Sequence, residues 1–107
     1  MTIPNSWEVW WAIVKFENSE ESKVRPVVVL ENQEAFIILL KITSHKPRDT
    51  YSGEYDLMRW SDAGLTKPST VRLSQPLKLI ITDFKSKIGE LDAVDISAIQ
   101  QLIAYYK

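Results

Sequence analysis

Apolar runs separated by short polar stretches predict a fold made mainly of strands. The first run, residues 7–16, is rich in β-branched and aromatic side chains and is too short for an uncapped helix. Two more apolar runs cover residues 27–30 and 35–42, and Pro26 stands directly before the first of them. Because proline has no N–H to donate to a ladder, we predict that the second strand begins at Pro26. The few polar interruptions of the first run favour a strand that is covered on both faces, and the three runs together predict an antiparallel meander.

Shorter runs continue this pattern towards the C-terminus. Residues 51–58, 70–73 and 77–82 each predict one more short strand. Between the first two of these, residues 59–64 predict a single helical turn closed by Gly64. The sheet that these runs predict is therefore small, antiparallel and twisted, or rolled into an open barrel.

The C-terminal segment has the clear helical period of the chain, with apolar side chains three to four residues apart at Ile96, Ile99, Ile103 and Tyr106. Asp92 is placed to cap this helix, and Asp95 follows it at the spacing of a capping box. We therefore predict an α+β fold, mainly β, in which one C-terminal helix packs on the sheet. Residues 1–107 form a single domain in this prediction.

Composition limits the chemistry that the chain can perform. Its 107 residues include no cysteine and one histidine, His45. Without cysteine there is neither a disulfide framework nor a thiolate metal site, and a catalytic zinc site normally needs two or three imidazoles. We therefore expect no metal and no other cofactor. The chain starts without a basic leader and has no apolar run near the ~20 residues that cross a bilayer, so we expect a cytoplasmic protein without a membrane partner.

The net charge of −1 conceals an uneven distribution. Residues 1–40 hold three basic side chains against six acidic ones, whereas residues 41–78 hold seven against four. The middle of the chain therefore carries +3 and is the segment where we expect a polyanion to bind.

Four sequence blocks occur in the order found in a known family. They are residues 19–30 (SEESKVRPVVVL) after a strand with two adjacent tryptophans, residues 42–44 (ITS) at a strand end, residues 63–75 (AGLTKPSTVRLSQ), and residues 87–91 (KIGEL) before the helix. Together they resemble the PemK/MazF-like toxins, the messenger-RNA endoribonucleases of type II toxin–antitoxin systems. The resemblance implies an SH3-like twisted barrel with a C-terminal helix. It also implies metal-independent cleavage of single-stranded RNA, in which a 2′-hydroxyl attacks the adjacent phosphate and leaves a 2′,3′-cyclic phosphate and a 5′-hydroxyl.

The resemblance assigns catalytic roles to four residues. Arg25 matches the arginine that stabilises the transition state, and Thr43 matches the strand-end hydroxyl that orients the phosphate. Glu20 matches a loop acid that accepts a proton or holds Arg25, and Arg72 matches a basic residue that assists at the phosphate. Taken without the family, single residues of these types are more often structural than catalytic: Arg25 would neutralise Glu20 or Glu21, and Thr43 would bond its own backbone in a turn.

The chain departs from the family pattern where a base is needed. Ser74 stands where some members carry an aspartate, and residues 18–21 replace a loop that contains histidine in other members. The usual Gly-Asp before the first strand is Trp7-Glu8 here. Glu20 is therefore our first choice for the general base. His45 is the second, because its ordinary pKa lies near neutrality.

The resemblance also implies partners: single-stranded RNA, a cognate antitoxin and a second copy of the chain, with RNA lying across the homodimer interface. The residues expected to contact RNA are His45, Lys46, Arg48, Lys67, Ser74 and Gln75. Trp10, Trp11 and Trp60 are able to stack on bases, although packing in the core or in the dimer interface is favoured for Trp10 and Trp11. The alternative function is a non-catalytic SH3-like binding module.

Overall fold

The computed structural model describes residues 3–15, 21–44, 53–74 and 76–106, and the side chains of these up to residue 104. Within these ranges the elements are β1 (Glu8–Lys15), β2 (Ser22–Asn32), β3 (Ile37–Thr43), β4 (Glu54–Asp56), β5 (Thr70–Arg72), β6 (Leu77–Leu79), a 3₁₀ turn (Ile81–Asp83), β7 (Phe84–Glu90) and α1 (Ala93–Tyr106). The spatial order of the strands is β4-β5-β3-β2-β1-β7, and β6 pairs with β3 beside this path. The sheet is antiparallel and unclosed, which confirms the predicted fold class.

Strand β2 is longer than the sequence predicts. It runs from Ser22 to Asn32, so the prediction that it begins at Pro26 is wrong. Its ladder with β1 covers its whole first half, whereas its ladder with β3 stops at the pair Val27↔Lys41. Pro26 therefore lies beyond the β3 ladder, where a missing N–H is tolerated as it is on an edge strand.

Other segments also differ from the prediction. Residues 59–64 form a hydrogen-bonded turn rather than a helix, and Gly64 adopts a φ of +91° within it. A Cβ at this position would lie 2.6 Å from the carbonyl oxygen of Ile88, so glycine lets the turn approach β7 closely. Strand β7 itself was not predicted from the sequence.

The hydrophobic core is divided between the two faces of the β1–β3 meander. Alternate residues such as Val9 and Val28 pack with Ile99 of α1 on one face. Their neighbours Trp10 and Val27 pack on the other face, where the Trp10 ring meets that of Phe84 edge to face at 6.0 Å. The prediction that the first strand is covered on both faces is confirmed, and Trp10 is a core residue.

Helix α1 is joined to the turn after β4 by a buried carboxylate. Asp92 caps the helix by accepting the Val94 N–H at 2.9 Å, as predicted. Asp95 is fully buried and accepts the Tyr55 hydroxyl at 2.7 Å and the backbone N–H groups of Met58 and Arg59 at 2.9 Å each. Burial, followed by the Asp95 carboxylate, raises the pKa of Tyr55, so its hydroxyl remains protonated and donates.

A second buried carboxylate joins β1 to β7. Glu8 forms an ion pair with Lys87 at 3.0 Å and accepts hydrogen bonds from the Asn5 N–H and the Trp10 indole. Burial raises the pKa of Glu8, but the donors together outweigh burial and hold that pKa below its ordinary value of 4.5.

None of the described helices is long and apolar enough to cross a bilayer.

Candidate active site

The candidate site lies where β2 and β3 part. The two strands are paired as far as Val27↔Lys41, and beyond this point β3 pairs with β5 while β2 continues on β1 alone. Extending the β2–β3 register by two residues brings Arg25 opposite Thr43. The two side chains therefore lie on opposite sides of the gap. By alternation along the strands, both are on the same face of the sheet as Val27.

A basic cleft opens at this gap. Its volume is about 280 Å³, and it is lined by Val14, Lys15, Arg25, Lys41, Thr43, Ser44 and Arg72. Four of these side chains are cationic, and none of the described residues lining the cleft is acidic. Such a concentration of one sign of charge attracts an anionic ligand, and a nucleic-acid backbone has the charge and the shape for it.

Thr43 and Arg72 reach the basic cleft through the β3–β5 ladder. Thr43 pairs with Thr70, and Arg72 follows Thr70 by two residues, so both side chains project on the same face. Thr43 Oγ1 and Arg72 Nε are buried and have no hydrogen-bond partner within the described part of the chain. A hydroxyl and a guanidinium held in this way supply donors to an oxyanion.

A second cleft of about 330 Å³, here called the apolar cleft, adjoins the first and shares Arg25, Thr43 and Ser44 with it. Trp11, Pro26 and Ile88 contribute its apolar wall, and Gly64, Leu65, Thr66 and Lys67 contribute a further part of the lining, here called its rim. Trp11 is 41% exposed here, so it does not pack in the core, and its expected place in the dimer interface stays a prediction. A base attached to a phosphate in the basic cleft would have an aromatic wall within its reach.

The structure brings together four of the residues predicted from the sequence, since Arg25, Thr43, Arg72 and Lys67 each line one or both clefts. Ser74 is exposed at the end of β5 beside Gly53 and is not among the described lining residues. The other predicted site residues lie outside the described ranges: Glu20, His45, Lys46, Arg48 and Gln75. The described part of the chain contains no group of three metal-ligating side chains.

Sequence reasoning missed Lys15 and Lys41 as members of the site. Lys41 could have been predicted, because a residue two positions before Thr43 on the same strand projects from the same face. Lys15 gave no such signal, since only the pairing of β1 with β2 brings it to the basic cleft.

Comparison with known proteins places the chain in a family. Residues 5–106 match the model of the PemK-like, MazF-like toxins of type II toxin–antitoxin systems. Toxin MazF-mt6 of Mycobacterium tuberculosis superposes with a TM-score of 0.73 at 20% identity, over 92% of this chain and 94% of that one. MazF of Deinococcus radiodurans gives 0.74 at 16% identity, over 98% and 96%. A mycobacterial endoribonuclease in complex with its cognate antitoxin gives 0.71 at 16% identity, over 96% and 93%.

These structural likenesses establish a common fold, whereas no curated protein matches the chain in sequence. The match to the family model covers nearly all of the chain. The chain therefore belongs to the family of PemK-like, MazF-like toxins of type II toxin–antitoxin systems.

Proposed function

We propose that this toxin is a metal-independent endoribonuclease that cleaves single-stranded messenger RNA. The observation that carries the proposal is the convergence of Arg25, Thr43 and Arg72 in one cleft whose described lining has no acid. In the reaction, the 2′-oxygen of one nucleotide forms a bond to the adjacent phosphorus and the bond to the 5′-oxygen of the next nucleotide breaks. The proton leaves the 2′-hydroxyl and a proton is delivered to the departing 5′-oxygen.

The cleft residues suit the charge that develops in this step. The phosphorane carries more negative charge on its non-bridging oxygens than the starting diester, so preorganised donors stabilise it preferentially. An arginine fork donates two parallel hydrogen bonds to such oxygens, and the Thr43 hydroxyl adds a third donor from the opposite strand. Lys15 and Lys41 neutralise the neighbouring phosphates and hold the strand in place. Glu20 remains our first choice for the base that removes the 2′-proton, with His45 second.

The proposal includes the partners typical of the family. One similar structure is an endoribonuclease bound to its cognate antitoxin, which supports an antitoxin as the inhibitor of this chain as well. An acidic antitoxin segment that occupies the basic cleft would exclude RNA by charge and by volume. We further propose that the toxin acts in the cytoplasm as a homodimer, with RNA extending across both subunits.

Cleavage of a long unstructured RNA in EDTA, compared across single variants, tests the proposal. We expect Arg25→Ala, Thr43→Ala and Arg72→Ala each to lower kcat, the arginine variants by about 10²–10³-fold as for the loss of one oxyanion donor. Lys85→Ala is the matched control, because Lys85 is exposed and lines neither cleft. RNA that is bound but stays intact at high protein concentration would show that the chain is a non-catalytic SH3-like binding module instead.

A further inference from the structure

Glu54 is a half-buried acidic side chain beside the basic cleft, and the proposed reaction gives it no role. Besides Thr43 Oγ1 and Arg72 Nε, the buried side-chain atoms without a hydrogen-bond partner among the described residues include Glu54 Oε2. All three atoms lie in the adjoining strands β3, β5 and β4. Buried polar atoms are rarely left without partners, so such a group in a folded protein calls for an explanation.

The strand register relates Glu54 directly to Arg72. The two residues are Cα partners in the antiparallel pair β4–β5, so their side chains share one face with Cβ atoms about 4.5–5.5 Å apart. Nε of arginine carries one N–H to donate, and a carboxylate oxygen only accepts. A buried donor and a buried acceptor therefore occupy neighbouring side chains. In this structure Glu54 Oε2 and Arg72 Nε form no hydrogen bond with each other, so the two side chains have to reorient to form one.

We propose that Glu54 is a positioning residue for Arg72. When a phosphate enters the basic cleft, the Glu54 carboxylate accepts the Arg72 Nε–H and fixes the plane of the guanidinium. The two terminal nitrogens are then directed at the phosphate as a bidentate fork. The carboxylate also offsets the cost of holding the guanidinium away from water, which a buried cation without a partner would incur. This inference rests on the proposal that the cleft binds the RNA phosphate.

The pairing has a spectroscopic signature that does not depend on catalysis. In a ¹H–¹⁵N spectrum of the arginine Nε–H groups, the Arg72 resonance is assigned by its disappearance in Arg72→Lys. With inorganic phosphate added, we expect this resonance to shift and to exchange slowly with solvent in the wild-type protein. Glu54→Ala should abolish that protection, whereas Glu54→Gln should keep part of it because its carbonyl still accepts. Asp56→Ala is the matched control, as an exposed acid on the same strand.

The kinetic effect follows from the loss of orientation. We expect Glu54→Ala to lower kcat by about 10²-fold with a smaller change in KM, since misplacing a group at the reacting centre acts mainly on the transition state. Glu54→Gln should lose clearly less than Glu54→Ala. In an Arg72→Lys background Glu54→Ala should cause no further loss, because both changes remove the same interaction.

Three outcomes separate the explanations. An Arg72 Nε–H signal that is unchanged in Glu54→Ala would overturn the positioning role. The positioning role would also be overturned if Glu54→Gln and Glu54→Ala lowered kcat equally and if either loss multiplied in full with that of Arg72→Lys. That result would make Glu54 an independent proton acceptor. If wild-type protein leaves RNA intact while the Nε–H signal still depends on Glu54, the proposed function fails and the pairing stands. Thermal melts of each variant confirm folding, and Glu54→Gln keeps the test valid if Glu54→Ala does not fold.

Discussion

Replacing Asp95 by asparagine tests how the fold supports the rim of the apolar cleft. Asp95 is fully buried, and its two oxygens accept one hydroxyl and two backbone N–H groups. Asparagine has the same shape and retains one oxygen, which is able to accept from Tyr55 and Met58. Its amide nitrogen then faces the Arg59 N–H at the position of Oδ2, so that two donors oppose each other.

The magnitude follows from these three hydrogen bonds. Two of them change from charge-assisted to neutral, a loss of about 1 kcal/mol each, and the third is lost. The desolvation cost of the buried charge is relieved at the same time, so we expect a net loss of about 2–4 kcal/mol in the free energy of unfolding. For a domain near this size that corresponds to a fall of about 10–20 °C in Tm. Because the turn held by Asp95 continues into the rim of the apolar cleft, affinity for RNA should fall as well.

Urea unfolding at neutral pH, followed by circular dichroism, measures this effect. Asp92→Asn is the matched control at the same end of α1, because asparagine caps a helix as well as aspartate does. We expect the control to stay within about 0.5 kcal/mol of the wild type. An Asp95→Asn protein that is equally close to the wild type would refute the reasoning that a charged acceptor joins α1 to the turn.

Three further predictions concern acid stability, backbone strain and RNA affinity. The fold lowers the pKa of Glu8, so ionised Glu8 adds stability above pH 4.5, and this stability disappears as pH falls through the folded pKa. Glu8→Gln should abolish this contribution to the pH dependence of stability, as measured by urea midpoints from pH 7 to pH 3. Glu34 is exposed at a φ of +66°, so Glu34→Gly should raise the free energy of unfolding by about 0.5–1 kcal/mol, as measured by urea unfolding at pH 7. Glu31→Gly, within strand β2, should lower it by a similar amount in the same assay. Trp11→Ala should weaken binding of a non-cleavable RNA by about tenfold to a hundredfold in a fluorescence anisotropy titration, while Met58→Ala, which is exposed and lines neither cleft, should leave it unchanged. Equal losses for the two would argue against stacking on Trp11.

The sequence predicts the parts of the fold that long apolar patterns determine. The three-stranded meander and helix α1 follow from their hydrophobic runs and period. Strand β7 is not predicted, because Phe84–Glu90 presents mostly exposed or half-buried side chains and is held by its ladder with β1 and the Glu8–Lys87 ion pair. A backbone ladder leaves little trace in side-chain pattern. The predicted start of β2 is wrong for a related reason. Pro26 pairs with β1 but lies beyond the ladder with β3, and the point where β3 leaves β2 is not visible in the sequence.

Charge along the chain predicts only half of the basic cleft. Lys41 and Arg72 come from the middle segment that carries +3, whereas Lys15 and Arg25 come from the N-terminal segment with excess acid. Pairing of β1 with β2 brings these two cations to the cleft, and such pairing between distant residues is invisible to a count along the chain. Asp95 illustrates the same point, because its place in a capping box pattern hides a tertiary role as acceptor for Tyr55 and the following turn.

One departure from the family pattern also acquires a physical meaning. Where the family usually has Gly-Asp before the first strand, this chain has Trp7-Glu8, and Trp7 adopts a φ of +70°. This is the left-handed region that glycine enters without strain, so a tryptophan at this position has a conformational cost that glycine would avoid. Trp7 is held in it by its N–H bond to Val29 and by the Leu91 N–H that its carbonyl accepts, at 2.7 and 2.9 Å.

The chemistry of the RNA ends produced by the wild-type protein tests the central claim most directly. A long unstructured RNA is incubated with the toxin in excess EDTA, and the ends of the fragments are identified by mass spectrometry and by their acceptance of phosphate from a polynucleotide kinase. We predict metal-independent cuts with 2′,3′-cyclic phosphate on one fragment and 5′-hydroxyl on the next. RNA that stays intact at high protein concentration, or cuts that require a divalent cation and leave 5′-phosphates, would contradict the proposed function.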